Sequence, residues 1–136
     1  MNCFTPVEMI FDEHANLVKY LFSPAKISDS IAEKAITLAT KTIKAFDIVG
    51  ILAVELFLDE NDELLINEVA PRAHNSGHHT IESAFTSQYE QQLRAILGLP
   101  LGSTKLISPA IMLNLLGEPG FSGLPIYEGL EECMKI

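Results

Sequence analysis

The chain has 136 residues, 48% of them hydrophobic, and a formal net charge of −9. These values fit one modest folded domain and exclude an intrinsically disordered chain. The acidic balance argues against a nucleic-acid groove, although it is compatible with phosphates held through metal ions or backbone N–H groups. Cys3 and Cys133 form no disulfide framework or zinc motif, no apolar run is long enough to span a membrane, and no signal peptide is evident. We therefore expect a cytoplasmic protein that does not bind membranes.

The first half of the chain predicts a hairpin followed by a helix. Residues 4–11 and 16–24 are β-rich and flank a short polar stretch, and Pro6 places the first of these strands at a sheet edge. Residues 27–46 predict a helix that begins with a capping box at Ser30. The apolar residues expected on the buried face of this helix are Ile31, Ala35, Leu38, Ala39 and Ile43.

The second half predicts three further strands and one further helix. Residues 47–71 read as two strands joined by an acidic turn, and residues 108–117 read as another strand. Residues 86–100 predict a helix with a capping box at Ser87 and a stop at Gly98. Hairpins alternating with helices indicate an α+β fold. The stripe that we expect the second helix to bury consists of Tyr89, Leu93, Ile96 and Leu97.

The predicted hairpin carries one carboxylate in each of two apolar stripes. Centring its turn on Asn61 and Asp62 places Glu55 opposite Glu68 on one face of the sheet. Opposed carboxylates need a cation, a shared proton or a basic neighbour, and oxygen ligands suit Mg²⁺ or Mn²⁺. Two alternatives remain open: a turn shifted by one residue would separate the side chains, and either carboxylate can pair with a lysine.

The loop after the second strand concentrates hydrogen-bonding groups in the sequence NEVAPRAHNSGHH, residues 67–79. Arg72 offers a planar fork for carboxylate or phosphate, and Gly77 allows a close approach to the backbone. In the register above, Asn67 points to the opposite face, although its amide can still contribute at the strand end. The three histidines lack the spacing of a zinc site. Alternatively, the loop only satisfies backbone groups at the start of a helix.

Three stretches of the chain resemble one enzyme family. GILAVELF, DELLINEVAPRAHNSGHHTIE and TSQYEQQLRAILGLPLGSTKLISPAIMLNLLGE are similar to carboxyaminoimidazole ribonucleotide synthetases, the ATPase subunits of phosphoribosylaminoimidazole carboxylase, in the ATP-grasp superfamily. The resemblance runs from Phe4 to Glu118. It implies an ATP-dependent ligase of purine biosynthesis, which phosphorylates bicarbonate to carboxyphosphate and carboxylates aminoimidazole ribonucleotide, releasing ADP and phosphate.

The resemblance also implies a role for each matching residue. Glu55 and Glu68 match the ligands of the Mg²⁺ or Mn²⁺ that bridges the ATP phosphates, and Asn67 with Glu68 matches an ATP-binding pair. Arg72 matches a catalytic residue as well as a substrate-binding one. Asp12 stands where the family carries a nucleotide-contacting His, which puts that contact in doubt. The residues that match the binding site for aminoimidazole ribonucleotide and bicarbonate are Arg72, His74, Asn75 and Ser76.

The chain departs from the family in length. The N-terminal substrate domain and the phosphate-clamping first ATP-grasp subdomain have no counterpart, so we expect a C-terminal-half piece. Residues 1–104 would form the second half of an ATP-grasp domain, an antiparallel sheet with helices packed on it, and residues 105–136 the beginning of a small β-rich domain. Such a piece should be inactive alone, whereas the complete enzyme should be a homodimer. The alternatives are a non-catalytic assembly module and another ATP-grasp enzyme of the purine pathway.

Overall fold

The computed structural model describes residues 1–12, 17–115, 117, 120–124 and 126–135. The described strands form two antiparallel sheets, which with the helices confirm the α+β prediction. One sheet has the order β1-β2-β5 and the other pairs β3 with β4. The elements are β1 (Glu8–Phe11), β2 (Val18–Ser23), α1 (Asp29–Phe46), β3 (Ala53–Leu58), β4 (Leu64–Ala70), a 3-10 turn (Asn75–Gly77), α2 (Thr80–Ser83), α3 (Gln88–Ile96), β5 (Ala110–Leu113) and α4 (Leu130–Cys133).

The first sheet contains the hairpin predicted near the start of the chain. β1 and β2 pair antiparallel, and β1 lies at the edge of the described sheet as the position of Pro6 predicts. Residues 13–16, which connect the two strands, lie outside the described residues. The strand predicted over 108–117 is β5, which pairs with the other side of β2. The central position of β2 explains why Leu21 is fully buried.

The start of α1 corrects one prediction. Ser28, not Ser30, caps the helix, because Ser28 has the extended backbone that a cap requires and its hydroxyl accepts the N–H of Ile31 at 3.4 Å. Ser30 already lies within the helix. Ile31 and Ala35, from the predicted stripe, are buried, so the helix does bury the expected face.

The buried face of α3 is a second correction. Ser87 caps this helix as predicted, with its hydroxyl accepting the Glu90 N–H at 3.2 Å. The buried residues, however, are Gln88 and Gln91. Their carboxamides find main-chain partners in adjoining loops, so burying them leaves no hydrogen-bonding group unsatisfied. The predicted apolar stripe is instead between 38% and 67% exposed: Tyr89, Leu93, Ile96 and Leu97.

The buried apolar core is small in the part of the chain that the structure describes. Only five apolar residues are buried there. Phe57 on β3 and Leu65 on β4 are more than half exposed. None of the helices among these residues has the length and apolar character needed to cross a bilayer. The five core residues are Leu21, Ile31, Ala35, Ala70 and Ala84.

Candidate functional site

The β3–β4 hairpin brings the two predicted carboxylates together. Glu55 pairs with Glu68, as the predicted register requires. Closer to the turn the pairing is offset by one residue, so that Leu56 faces Ile66, and Asn67 is the extra residue of a β-bulge. The predicted carboxylate pairing is therefore confirmed, but it depends on a bulge that the alternating pattern does not show.

The turn of this hairpin explains the offset. The Asp59 carboxylate accepts the backbone N–H groups of Asn61 and Glu63, each at 2.8 Å. The hydrogen bond from Glu63, followed by that from Asn61, lowers the pKa of Asp59. Asp62 adopts a left-handed conformation with a φ of 62°. This compact turn sets the pairing of the strand residues closest to it. The bulge then restores the predicted register, in which Glu55 pairs with Glu68.

The bulge also changes the direction of Asn67. The sequence register places its side chain on the opposite face from Glu55 but lets its amide contribute at the strand end, and in the structure this amide does reach Glu55. The Asn67 Nδ2 donates to Glu55 Oε2 at 3.3 Å. A bulge interrupts the alternation of side chains along a strand, which lets neighbouring residues reach the same group. Asn67 and the two glutamates therefore form one cluster.

His74 completes this cluster from the loop that follows β4. Its Nε2 lies 3.5 Å from Glu55 Oε1, and both side chains are largely shielded from solvent. The Ser76 N–H donates to His74 Nδ1 at 3.3 Å. Because Nδ1 accepts a hydrogen bond, a neutral His74 ring carries its proton on Nε2, facing the carboxylate. The structure thus supplies the basic neighbour that opposed carboxylates need.

The donor set suits a hard divalent cation. One oxygen from each of Glu55 and Glu68 lies within 4.8 Å of the other and of a His74 ring nitrogen. Two ligands of one Mg²⁺ lie at most about 4.2 Å apart, so a small contraction brings the carboxylates into range. Of these three side chains, the two carboxylates offer the oxygen atoms that suit a hard cation, whereas the His74 Nε2 faces Glu55 with its proton when the ring is neutral.

The remaining predicted site residues lie on the same loop. Arg72 is exposed and its Nη1 donates to the Ala73 carbonyl at 3.0 Å. Asn75 is the exposed first residue of the 3-10 turn, and Ser76 is half-buried. An open groove of about 780 Å³ runs past β1, α1 and β3 to this loop. Glu55, Asn67, Arg72 and Ser76 all line it, so one space is accessible to the Glu55 carboxylate and to a guanidinium.

Gln88 is a residue of this region that the sequence analysis did not single out. Its Oε1 accepts the His74 N–H at 2.9 Å, and its Nε2 donates to the His74 carbonyl at 2.8 Å. This carboxamide also lies close to Gly77. A Cβ at Gly77 would lie 2.5 Å from Gln88 Oε1. A glutamine in a helix ordinarily predicts an exposed position, so no local pattern identifies it.

The other two histidines of the loop take structural positions. His79 is buried and its Nδ1 lies 2.7 Å from Ser83 Oγ, which itself donates to the His79 carbonyl. Burial lowers the pKa of His79. His78 stacks against Tyr89 with ring centroids 6.0 Å apart. In the described part of the chain, neither residue joins a group of three potential metal ligands.

Comparisons with known proteins come from sequence and from structure. Residues 1–89 match the ATP-grasp domain family. The chain is 50% identical over 105 residues to N5-carboxyaminoimidazole ribonucleotide synthase of Bacillus subtilis, covering 77% of this chain and 28% of the relative. The structure superposes on N5-carboxyaminoimidazole ribonucleotide synthetase from Thermotoga maritima with a TM-score of 0.79 and 50% identity, covering 86% of this chain and 33% of that one.

A further solved relative carries ligands. N5-carboxyaminoimidazole synthase from Aspergillus clavatus, in complex with ADP and 5-aminoimidazole ribonucleotide, gives a TM-score of 0.80 at 42% identity. The alignment covers 85% of this chain and 31% of that structure. In each of these three comparisons, therefore, the chain spans no more than a third of the length of its relative.

Proposed function

We propose, because the chain belongs to the ATP-grasp family, that it is part of an ATP-dependent carbon–nitrogen ligase of purine biosynthesis. The γ-phosphoryl group of ATP passes to bicarbonate, giving carboxyphosphate and ADP. The exocyclic amine of aminoimidazole ribonucleotide then bonds to the carboxyphosphate carbon, and phosphate leaves. The observation that carries this proposal is the pairing of Glu55 with Glu68 across β3 and β4, directly before the loop that carries Arg72.

The hairpin would supply the ATP end of the site. Glu55 and Glu68 would hold Mg²⁺ or Mn²⁺, and Asn67 with Glu68 would contact the nucleotide. When bound, the ion neutralises negative charge on the ATP phosphates. The hydrogen bond from Asn67 and the nearby His74 ring would help hold the Glu55 carboxylate in place beside Glu68 before ligand arrives. Preorganised charge of this kind costs no rearrangement during reaction.

The loop would supply the substrate end. Arg72 offers donors matched to the oxygens of bicarbonate and carboxyphosphate, so it would act catalytically by balancing the charge that develops there. The exposed guanidinium of Arg72 lines the same groove as Glu55. The likeness to a relative that binds ADP and 5-aminoimidazole ribonucleotide supports this assignment. The residues proposed to bind bicarbonate and aminoimidazole ribonucleotide are Arg72, His74, Asn75 and Ser76.

The organisation of the complete enzyme belongs to the same proposal. Residues 1–104 would be the later part of an ATP-grasp domain, and residues 105–136 would begin a C-terminal domain. The whole enzyme would be a cytoplasmic homodimer. The other half of the ATP cleft would come from outside these 136 residues, and the chain alone would therefore not turn over. The 28% coverage of the Bacillus subtilis relative supports this division.

Titration with Mn²⁺ tests the metal site directly. We expect amide signals of isotope-labelled protein to broaden around Glu55, Glu68 and the loop of residues 72–77, and ADP to strengthen the effect. Glu68→Gln should abolish the localised broadening. Glu60→Gln, which removes an exposed carboxylate at the hairpin turn, is the matched control and should leave it intact. Broadening that Glu68→Gln does not change would contradict the assignment.

Turnover tests the reaction. The isolated chain should release no phosphate from ATP above a Glu68→Ala control, whatever substrates are present. A chimera in which this chain replaces the aligned 105-residue segment of the Bacillus subtilis relative should release phosphate only with bicarbonate and aminoimidazole ribonucleotide. Release by the isolated chain would contradict the prediction of inactivity. A folded chimera that hydrolyses ATP without responding to aminoimidazole ribonucleotide would favour another ATP-grasp ligase.

A further inference from the structure

We propose that Gln88 is a positioning residue: its buried carboxamide holds the main chain of His74 and so sets the direction in which the His74 ring faces Glu55. This inference rests on the proposed function, because only the proposed function gives the loop of residues 72–77 a role in substrate binding. Gln88 itself is 3% exposed and would act through His74 without contacting substrate.

The contact holds His74 at both of its main-chain groups. Gln88 Oε1 accepts the His74 N–H at 2.9 Å, and Gln88 Nε2 donates to the His74 carbonyl at 2.8 Å. The two residues are 14 positions apart in the chain. Two hydrogen bonds from one planar carboxamide fix both the position and the orientation of the residue that they hold. Because the Gln88 carboxamide is buried, water does not readily replace either hydrogen bond.

The main chain of Gln88 is in turn held by its surroundings. The Gln88 N–H donates to Thr80 Oγ1 at 2.9 Å, and Thr80 Oγ1 donates to the Gly77 carbonyl at 2.5 Å. Thr80 is 1% exposed. A side chain at Gly77 would displace the Gln88 carboxamide, since a Cβ there would lie 2.5 Å from Oε1. The start of α3 and the 3-10 turn are therefore joined through Gln88, Thr80 and Gly77.

The link to the site runs through the His74 ring. Ser76, two residues along the held segment, donates its N–H to His74 Nδ1 at 3.3 Å and thereby selects the ring tautomer. The ring Nε2 then faces Glu55 Oε1 at 3.5 Å. Rotation of the His74 peptide would alter both contacts together. Gln88 thus connects α3 to a carboxylate of the β3–β4 hairpin through a single intermediate residue.

Gln91 provides a matched control on the same helix. It is 6% exposed and makes the same two-bond contact with a different residue. Its Nε2 donates to the Gly102 carbonyl at 2.6 Å, and its Oε1 accepts the Gly102 N–H at 3.0 Å. That contact holds the connection after α3, which carries none of the proposed site residues. Gln88 and Gln91 therefore share chemistry, burial and helix, and differ in what they hold.

The experiment compares Gln88→Glu with Gln91→Glu in the 136-residue chain labelled with ¹⁵N. Each change keeps the side-chain shape, removes the Nε2 donor and places a buried carboxylate beside a carbonyl, so both should lower resistance to urea similarly. Only Gln88→Glu should reduce hydrogen-exchange protection of the His74 amide, by about tenfold or more, because the new carboxylate repels the His74 carbonyl and moves away from His74. Only Gln88→Glu should also change the ¹⁵N signals that report the His74 ring tautomer.

A second variant keeps the test decisive if Gln88→Glu does not fold. Gly77→Ala pushes the Gln88 carboxamide from the opposite side while leaving its chemistry unchanged, and should alter the same His74 signals. Unchanged His74 protection and tautomer signals in Gln88→Glu, or in Gly77→Ala if that is the variant that folds, would overturn the inference. Equal His74 changes in Gln91→Glu would also overturn it, since they would reveal a general structural effect.

Adding aminoimidazole ribonucleotide separates this inference from the proposed function. In the wild type, the ligand should shift the amide signals of Arg72, Asn75 and Ser76. If the wild type does not respond, the proposed substrate assignment fails, while the ligand-free His74 signals still decide the role of Gln88. If the wild type and Gln91→Glu respond and Gln88→Glu responds at least about tenfold more weakly, both proposals are supported.

Discussion

The β3–β4 hairpin and the segment from Arg72 to Gly102 both serve the candidate site, but different forces shape them. The hairpin sets Glu55 opposite Glu68 through the main-chain ladder of an antiparallel pair. The following segment is held mainly by buried carboxamides, those of Gln88 and Gln91. The comparison shows that one part of the site follows from strand register, whereas the other depends on side chains that bridge distant parts of the chain.

The largest effect should come from the hairpin carboxylates. Glu55→Gln removes one of the two proposed anionic ligands and weakens the partner of Asn67 and His74, so Mn²⁺ affinity should fall about 100-fold, or about 2.7 kcal/mol. Calorimetric titration of the metal measures this change. Glu60→Gln should keep the affinity of the wild type. Equal affinities for Glu55→Gln and the wild type would remove the hairpin from the metal site.

The next effect tests the close contact in the second region. Gly77→Ala places a methyl group against the Gln88 carboxamide, so the free energy of unfolding should fall by about 2 kcal/mol. Urea denaturation gives the value. Gly117→Ala is the control, because a Cβ at Gly117 meets nothing within 4 Å, and it should change stability by less than about 0.5 kcal/mol. If Gly77→Ala changes the free energy of unfolding as little as Gly117→Ala does, the Gln88 carboxamide moves aside easily.

A related change tests the stabilising role of a buried carboxamide away from the site. Gln91→Leu leaves the N–H of Gly102 without its side-chain partner and leaves the Gly102 carbonyl with only the Asn2 amide, so unfolding should become easier by about 1.5 kcal/mol. Chemical denaturation at neutral pH provides the measurement. The neighbouring Gln92 is only half-buried and its side chain makes no hydrogen bond to the part of the chain that the structure describes, so Gln92→Leu is the matched comparison. The prediction fails if both variants lose the same stability.

Between pH 8 and pH 5, a pH effect should appear in the second region, at His79. Burial lowers the folded-state pKa of His79 below its ordinary value of 6.5, so below that pH the unfolded chain binds more protons. The contribution of His79 to the free energy of unfolding is fully present above pH 6.5. It is lost as the pH falls from 6.5 to the lowered pKa that His79 has in the folded chain. The slope cannot exceed about 1.4 kcal/mol per pH unit for one proton.

Subtracting the stability of a His79 variant from that of the wild type separates the contribution of His79 from those of His74 and the carboxylates. The stability of the wild type minus that of His79→Gln, measured by denaturation from pH 8 to pH 5, should be constant at the upper end and decline below pH 6.5. A difference that stays constant over the whole range would show that His79 titrates normally in the folded chain.

The smallest effect concerns a surface ion pair on α3. Arg94 Nη2 lies 2.7 Å from Glu90 Oε1 in an i, i+4 arrangement. Exposed pairs of this kind contribute about 0.4 kcal/mol, so Glu90→Gln should cost no more than that. The loss should shrink in about 1 M salt, which screens surface charges. A loss as large as that of Gln91→Leu would contradict the view that buried amides, and not surface charges, hold this region.

Much of the fold could be predicted because the relevant signals are local. Alternation and turn residues predicted the hairpins, helical spacing predicted α1 and α3, and the turn position predicted the pairing of Glu55 with Glu68. The exceptions have physical causes. Two serines compete for the cap of α1, and the extended backbone of Ser28 decides between them. The bulge at Asn67 compensates for a turn held by Asp59, which no alternating pattern can indicate.

The amino-acid sequence by itself determined the types of elements, the carboxylate pair and the polar loop that follows it, because each depends on residues close together in the chain. Tertiary structure alone decided which face of α3 is buried, and that Asn67 and His74 both reach Glu55. It also decided that Gln88 holds the loop. These outcomes depend on whether a polar group finds a partner from a distant segment, and spacing along the chain does not specify that.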